Sequence, residues 1–297
     1  MWLVYAVGSA FFAGITAILA KSGIKNTDSD VATAIRTAVV LLFSLILVVV
    51  SGCGYEILNL NAKTWIFLIL SGLSTGASWL YYFKALQKGD INRVVSVDKL
   101  STVLTLILAF IFFNEKITWL KAAAIVLIGI GTYLMIDKKR IDKKALNEKQ
   151  TDIVNSKKNK SWFFYAVFSM IFASLTAILG KVGINGVNSN LGTAIRTAVV
   201  LILAWGMVFA FNKQKLVKQI SKKELTFICL SGIATGGSWL CYYKALKEGL
   251  TSVVVAIDKL SILITVAFSF IVFKEKLSFK ALCGLIFMVL GTLLLIV

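Results

Sequence analysis

The feature that most constrains this chain is that it is written twice. TAIRTAVVL at Thr33–Leu41 recurs unchanged at Thr193–Leu201, 160 residues later. At the same offset SGLSTGASWLYYFKALQKG (Ser71–Gly89) returns as SGIATGGSWLCYYKALKEG (Ser231–Gly249). VDKLS (Val97–Ser101) returns as IDKLS (Ile257–Ser261), and FFNEK (Phe112–Lys116) as VFKEK (Val272–Lys276). Matches this long in one register mark a tandem duplication, because low complexity does not hold register. Whatever the first half folds into, the second half folds into as well.

Each copy is too apolar for water. The chain of 297 residues is 58% hydrophobic and 15% charged, with a mean hydropathy of +0.86. No soluble core of that size hides so much apolar side chain. Runs such as Val39–Gly52 and Leu100–Phe113, with their flanking turns, reach the ~20 residues a helix needs to cross a bilayer. Polar or glycine-containing joints then predict helices over 2–22, 31–51, 64–87, 91–113 and 117–136, and over 161–182, 191–211, 224–246, 251–273 and 278–297. The N-terminus MWLVYAVGSAFF lacks a basic n-region and a small-residue cleavage site, so it is expected to be a retained first helix. The expected fold is an all-α integral membrane protein with ten transmembrane helices. It comprises a first five-helix repeat (1–137), a basic linker (138–160) and a second five-helix repeat (161–297). Five is odd, so the second copy enters the membrane inverted, the arrangement by which many secondary transporters place a substrate site near the midplane.

Composition also excludes classes of chemistry. There is no histidine, and Cys53, Cys229, Cys241 and Cys283 show no C-x-x-C spacing. A zinc, haem or iron–sulfur site is therefore not expected, and neither a Ser-His-Asp nor a Cys-His catalytic set can be assembled. The expectation is no enzyme, no metal and no cofactor. No phosphate-binding glycine loop precedes a lysine, so the chain is not its own ATPase and a gradient must drive it. No selectivity filter or acidic ring of a channel is visible. The net charge of +18 sits in the joints and the linker, which fits the positive-inside rule and not nucleic-acid binding.

Ionisable groups within the apolar runs are costly and mark functional candidates. Lys21, Arg36, Lys84, Asp98 and Lys99 gather toward one side, and Lys181, Arg196, Lys244, Asp258 and Lys259 toward the other. They are expected to form two pseudosymmetric gates, with Asp98 and Asp258 each pairing with cations of its own set. Long lysines such as Lys21 and Lys181 can instead reach the headgroups, but a short carboxylate cannot. Hydroxyl stripes support a cavity: Ser71, Thr75, Ser78 and Tyr82 share a helix face, as do Ser231, Thr235, Ser238 and Tyr242. Ser9 and Thr16, with Ser169 and Thr176, add a stripe on the first helix of each copy. The alternative role for these hydroxyls is interhelical hydrogen bonding. Trp79 and Trp239 lie too deep for an interfacial belt and are candidates for the substrate path. The pairs Gly72/Gly76 and Gly232/Gly236 are expected to serve close helix packing. Four cations against one carboxylate in each copy favour an anionic or zwitterionic substrate, such as an amino acid or organic acid.

The five-plus-five architecture, the W-x-x-Y-x-K-A-L segment closing the third helix of each copy, and the acidic residue after the fourth (Glu115, Glu275) resemble the EamA-type transporters of the drug/metabolite transporter superfamily. The resemblance implies a secondary transporter of small metabolites with a central cavity lined mainly by helices one, three, four, six, eight and nine. A proline common in the fourth and ninth helices of that family is absent; Asp98-Lys99 and Asp258-Lys259 stand in the region. The partners expected are a small-molecule substrate, the lipid bilayer and, as one option for coupling, a proton. A flippase for a lipid or lipid-linked substrate is the alternative, and it predicts a lateral opening between helices.

Lysine counts orient the chain. The linker holds Lys138, Lys139, Arg140, Lys143, Lys144, Lys149, Lys157, Lys158 and Lys160, and the joint near 213–223 adds five lysines. Both fall on one side, which is therefore expected to be cytoplasmic, with both termini outside. The resemblance implies the reverse, cytoplasmic termini, but translocating so many lysines is disfavoured.

Overall fold

A computed structural model describes residues 1–23, 27–88, 94, 97, 100–115, 118–135, 161–273 and 279–296. Among these residues there is no strand. The helices are α1 (Trp2–Gly23), α2 (Ser29–Val50), α3 (Ala62–Lys88), α4 (Ser101–Phe113), α5 (Trp119–Met135), α6 (Ser161–Gly183), α7 (Ser189–Ala210), α8 (Lys222–Glu248), α9 (Thr251–Lys259), α10 (Ser261–Phe273) and α11 (Phe279–Ile296). Short 3-10 turns at Gly54–Asn59 and Gln214–Gln219 follow α2 and α7. Among the described residues seven stretches are long and apolar enough to cross a membrane, α9 and α10 together supplying one of them; α4 and α5 are shorter apolar helices. The chain is a multi-pass integral membrane protein.

Local chemistry sets the helix ends, and it repeats. Asp28 caps α2 by accepting from the amide of Asp30 at 2.9 Å, and Asn188 caps α7 by accepting from Asn190 at 2.9 Å. Just past each helix, Gly52 (φ 63°) and Asn212 (φ 55°) take the left-handed conformation that ends a helix and that glycine and asparagine best tolerate. One expectation is corrected. The span predicted as one helix over 251–273 is interrupted at Leu260, whose amide bonds Ile257 O at 2.9 Å while Leu263 bonds Leu260 O at 2.8 Å. Apolar periodicity does not register such a tight turn. It falls directly after Asp258-Lys259.

The described chain forms two compact units, and each draws on both sequence copies. The first comprises Met1–Gly76 and Thr176–Lys276; the second comprises Ala77–Leu175 and Leu277–Val297. Within the first, α1 packs on α8, α9 and α10, and α2 packs on α7 and α8. Gly72 lets α3 approach α7: a Cβ there would lie 2.7 Å from Val199 Cβ and 3.0 Å from Arg196 O. Gly232 does the same for α8 on α2, with Val39 Cβ at 2.7 Å and Arg36 O at 3.1 Å. Each contact is the other with the copies exchanged. Gly76 against Leu203 and Gly236 against Phe43 extend the pattern, so both G-x-x-x-G pairs serve close packing.

Helices α2 and α7 run antiparallel, tied at both ends. At the start of α2, Asp28 and Asp30 hold Lys213, which follows α7. At the end of α2, Ser51 Oγ accepts from Asn190 Nδ2 at 3.0 Å, and Glu56 Oε2 accepts from the Asn188 amide at 3.0 Å. A helix of 22 residues is about 33 Å long, so the two ties stand a membrane's width apart.

The second unit repeats the logic. A Cβ on Gly131 of α5 would meet Gly284 O at 2.6 Å and Met288 N at 2.7 Å; one on Gly291 of α11 would meet Ala124 O at 2.9 Å and Ile128 N at 3.1 Å. Tyr81 stacks on Tyr165, Phe168 and Phe172 of α6.

Candidate functional site

The repeated TAIRTAVVL places one arginine in α2 and one in α7, and the second is among the largest fully buried side chains of the described residues. Arg196 is 2% exposed. Its Nε donates to Ser71 Oγ at 3.1 Å and its Nη2 to Thr75 Oγ1 at 2.7 Å. These hydroxyls are set one turn apart on α3 and are fixed in turn, Ser71 donating to Thr176 O at 2.8 Å and Thr75 to Ser71 O at 3.0 Å. The guanidinium carbon lies 5.0 Å from the Trp239 ring and 4.7 Å from the Tyr243 ring. Such ring faces favour a cation, more so when it is desolvated. Nη1 is buried with no hydrogen-bond partner, and among the described residues no carboxylate lies within ion-pairing distance of Arg196. Gly180 makes room for the arrangement: a Cβ there would meet Tyr243 Cε1 at 2.6 Å and Ser71 Oγ at 3.2 Å.

In the same unit Ser9 Oγ donates to Asp258 Oδ1 at 2.7 Å, and Ser238 Oγ donates to Ser9 O at 3.1 Å. Asp258 stands at the end of α9, beside the break at Leu260. The cation pairs expected at the Asp258 gate are not formed among the described residues. Asp258 takes the Ser9 hydroxyl instead, and Lys244 pairs with Glu248 at 2.8 Å near the helix end, where both are about one third exposed. Lys259 and Tyr242 are half-buried, and Tyr242 meets Tyr243 edge-on. Thr235 Oγ1 lies 3.4 Å from Thr16 Oγ1 and 2.7 Å from Ser231 O. Arg36 is half-buried. The second unit holds Ser78, whose Oγ is 3.4 Å from Ser169 Oγ, half-buried Trp79, exposed Lys84, and Tyr82, which packs on Ala85, Val94 and Ala166. Asp98 and Lys99 lie outside the described residues.

The model of the EamA-like transporter family matches residues 1–137 and again 160–297. The chain belongs to the EamA-like transporter family. An "uncharacterized transporter in cobO 3'region" of Sinorhizobium sp is 42% identical over 134 residues, 45% of this chain and 95% of that protein. A match of that length is one repeat long. A crystal structure that carries no functional description shares the fold, with a TM-score of 0.75 at 14% identity, over 97% of this chain and 95% of its own.

Three parts of this EamA-like site escaped the sequence reading. Tyr243 and Gly180 stand where the first copy has Phe83 and Ala20, so a search for breaks in the repeat, not for its matches, would have found them. The third is the ion-pair cluster at the start of α2, where Asp28 and Lys213 lie just beyond the helices and Asp30 in the first turn. Lys213 Nζ bonds Asp28 Oδ2 at 2.9 Å and makes a shorter contact to Asp30, which is 6% exposed. Burial pushes the Asp28 carboxyl up, but the bond from Lys213 and the amides of Asp30 and Val31 outweigh it and hold it below its usual value. Burial pushes Lys213 down, and the two carboxylates outweigh that and hold the ammonium above its usual value. The equivalents in the other copy are neutral: Asn188, Asn190 and Cys53.

Proposed function

We propose that this EamA-like protein is a secondary active transporter moving a small carboxylate-bearing metabolite, an amino acid or organic acid, across the cytoplasmic membrane by alternating access. The observation that carries the reading is Arg196: a guanidinium at 2% exposure, held by Ser71 and Thr75 over Trp239 and Tyr243, with Nη1 unpartnered. Desolvating a charge and leaving part of it unpaired is expensive. A substrate carboxylate at Nη1 supplies both the missing acceptor and the missing charge, and an arginine fork suits that geometry better than a lysine. Asp258, on Ser9 at the helix break, is the partner for a substrate ammonium or a coupling proton.

The reading takes the chain as ten crossings in two inverted five-helix repeats, 1–137 and 161–297, joined by the linker 138–160. It is supported by the antiparallel, doubly tied α2 and α7 and by the glycine contacts that map onto themselves when the copies are exchanged. The lysine count places the linker and the Lys213 end in the cytoplasm. Asp98, Lys99, Arg36 and Lys84 are the first copy's gate residues by repeat equivalence, with Trp79, Tyr82 and Ser78 on the substrate path. The test is flux into proteoliposomes of a panel of amino acids, organic acids and uncharged metabolites, with and without a proton gradient, beside a fluorescent-lipid scrambling assay. The expected result is uptake of carboxylates that Arg196→Gln reduces at least a hundredfold. Lipid scrambling without metabolite flux, or uptake limited to uncharged compounds, would overturn the reading.

A further inference from the structure

The two arginines of the duplicated segment are caught in different states. Their backbones are framed alike, Gly72 lying against Arg196 O and Val199 as Gly232 lies against Arg36 O and Val39. Their hydroxyl partners are duplicated too, Ser71 and Thr75 in one copy and Ser231 and Thr235 in the other. Even the threonine pairs match, Thr75 with Thr176 at 3.3 Å and Thr235 with Thr16 at 3.4 Å. Yet Arg196 is sealed and bonded to both of its hydroxyls, while Arg36 is half-buried and bonds neither of its own. Ser231 turns away, donating to Ile228 O of its own helix at 2.8 Å, whereas Ser71 reaches across to Thr176 O.

We infer that Arg36, Ser231 and Thr235 form a second carboxylate site, closed in the alternate state of the transporter, so that the two arginines engage their hydroxyls in turn. One molecule displays both halves of the cycle: the engaged arrangement around Arg196 and the released one around Arg36. Exchanging the copies converts the present state into the other, with Arg36 bonded to Ser231 and Thr235, and Arg196 freed. A substrate carboxylate then has an arginine to meet near either face. The inference rests on the transport reading for its ligand, but the alternation itself is a property of the chain.

The experiment uses the full-length protein in nanodiscs without substrate, with Cys53, Cys229 and Cys283 replaced by serine. Cys241 remains as the reporter. It lies two residues from Tyr243 and lines a cavity of about 330 Å³ with Tyr5, Asn190 and Lys244. Its rate of modification by a membrane-impermeant thiol reagent is measured. Ser71→Ala with Thr75→Val removes the partners of Arg196 and should speed modification. Ser231→Ala with Thr235→Val removes the partners awaiting Arg36 and should slow it, the two variants differing at least tenfold. The quadruple variant should return to an intermediate rate, a recovery that simple loss of stability does not produce. Ser231→Ala is the sharpest arm, because in the present state its hydroxyl bonds only its own helix. Equal rates in both pairs, or a shift of both in the same direction, would overturn the inference. Flux without alternation removes this inference alone; alternation without carboxylate flux removes the transport reading alone.

Discussion

Replacing Lys213 with the residue its repeat partner carries is the most direct probe of how the two ends of α2 and α7 are held. Lys213→Cys deletes both ion pairs and leaves Asp30, 6% exposed, with no cation; its Oδ1 already has no partner. Removing one member of a buried pair costs about 3–5 kcal/mol, and an exposed pair is worth less than about 1 kcal/mol. Lys213 and Asp28 are about one quarter exposed, so roughly 2–3 kcal/mol is expected, a fall of about 5 °C in the unfolding midpoint for a chain of this size. The other end supplies its own control, since Asn188, Asn190 and Cys53 occupy the same three positions there. Adding Asp28→Asn and Asp30→Asn to Lys213→Cys copies that neutral set and should recover most of the loss. Thermal unfolding of the purified protein in detergent, followed by tryptophan fluorescence, measures both steps. A single variant as stable as the parent, or a triple variant no better than the single, would refute the reasoning.

The pH dependence of the same difference has a definite sign. The Asp28 carboxyl is held below its usual value, so its contribution is full above that value and is lost as pH falls through the lowered one; Lys213 is held above its usual value, so its contribution is lost as pH rises through the raised one. The stability gap between parent and Lys213→Cys should therefore be flat from mildly acid to mildly alkaline pH and close at both extremes, as midpoints across a pH series will read. Gly131→Ala drives a Cβ into Gly284 O and Met288 N at 2.6 and 2.7 Å, backbone that cannot swing aside, and should cost about 2–3 kcal/mol. Gly129→Ala, with Val103 at 3.4 Å, should be tolerated in the same thermal assay. Gly180→Ala pushes on the Tyr243 ring and should raise the KM for substrate about tenfold in proteoliposome flux while leaving the yield of folded protein near normal.

The all-helical membrane class and the duplication were legible because two signals were redundant. Apolar runs of bilayer length and a fixed offset of 160 residues each had many positions to speak through. The site was legible only in kind. Arg196, Ser71, Thr75 and Trp239 were all candidates, since charge and hydroxyl in an apolar run are conspicuous wherever they fall. Their pairing was not legible, because a cation in a membrane helix can choose among a carboxylate, a hydroxyl pair, a ring face and the headgroups, and side-chain geometry makes that choice. Asp258 illustrates the point: four neighbouring cations made an ion pair the natural expectation, and the partner is the hydroxyl of Ser9. The turn at Leu260 was invisible for a related reason. A tight turn within an apolar run needs no glycine or proline to announce it, and the chain has no proline at all.

The departures from the repeat carry as much information as the repeat. Two perfect inverted copies would make the two faces of the protein equivalent, and the states open to either side would have equal energy. Here the equivalence is broken at identifiable places: an ion-paired tie at one end of α2 and hydrogen bonds without an ion pair at the other, Tyr243 against Phe83, Gly180 against Ala20. Each is a term present in one half and absent from its partner, and a difference of about 1.4 kcal/mol already shifts a two-state ratio tenfold. The side on which Arg196 is sealed is also the side that owns the extra phenol hydroxyl and lacks the methyl group. Restoring symmetry there should therefore weaken the preference for the present state. Tyr243→Phe with Gly180→Ala makes that end match the first copy. The pair should raise the modification rate of Cys241 several-fold, toward the value set by Ser71→Ala with Thr75→Val; a rate unchanged from the parent would show that the bias lies elsewhere in the duplicated frame.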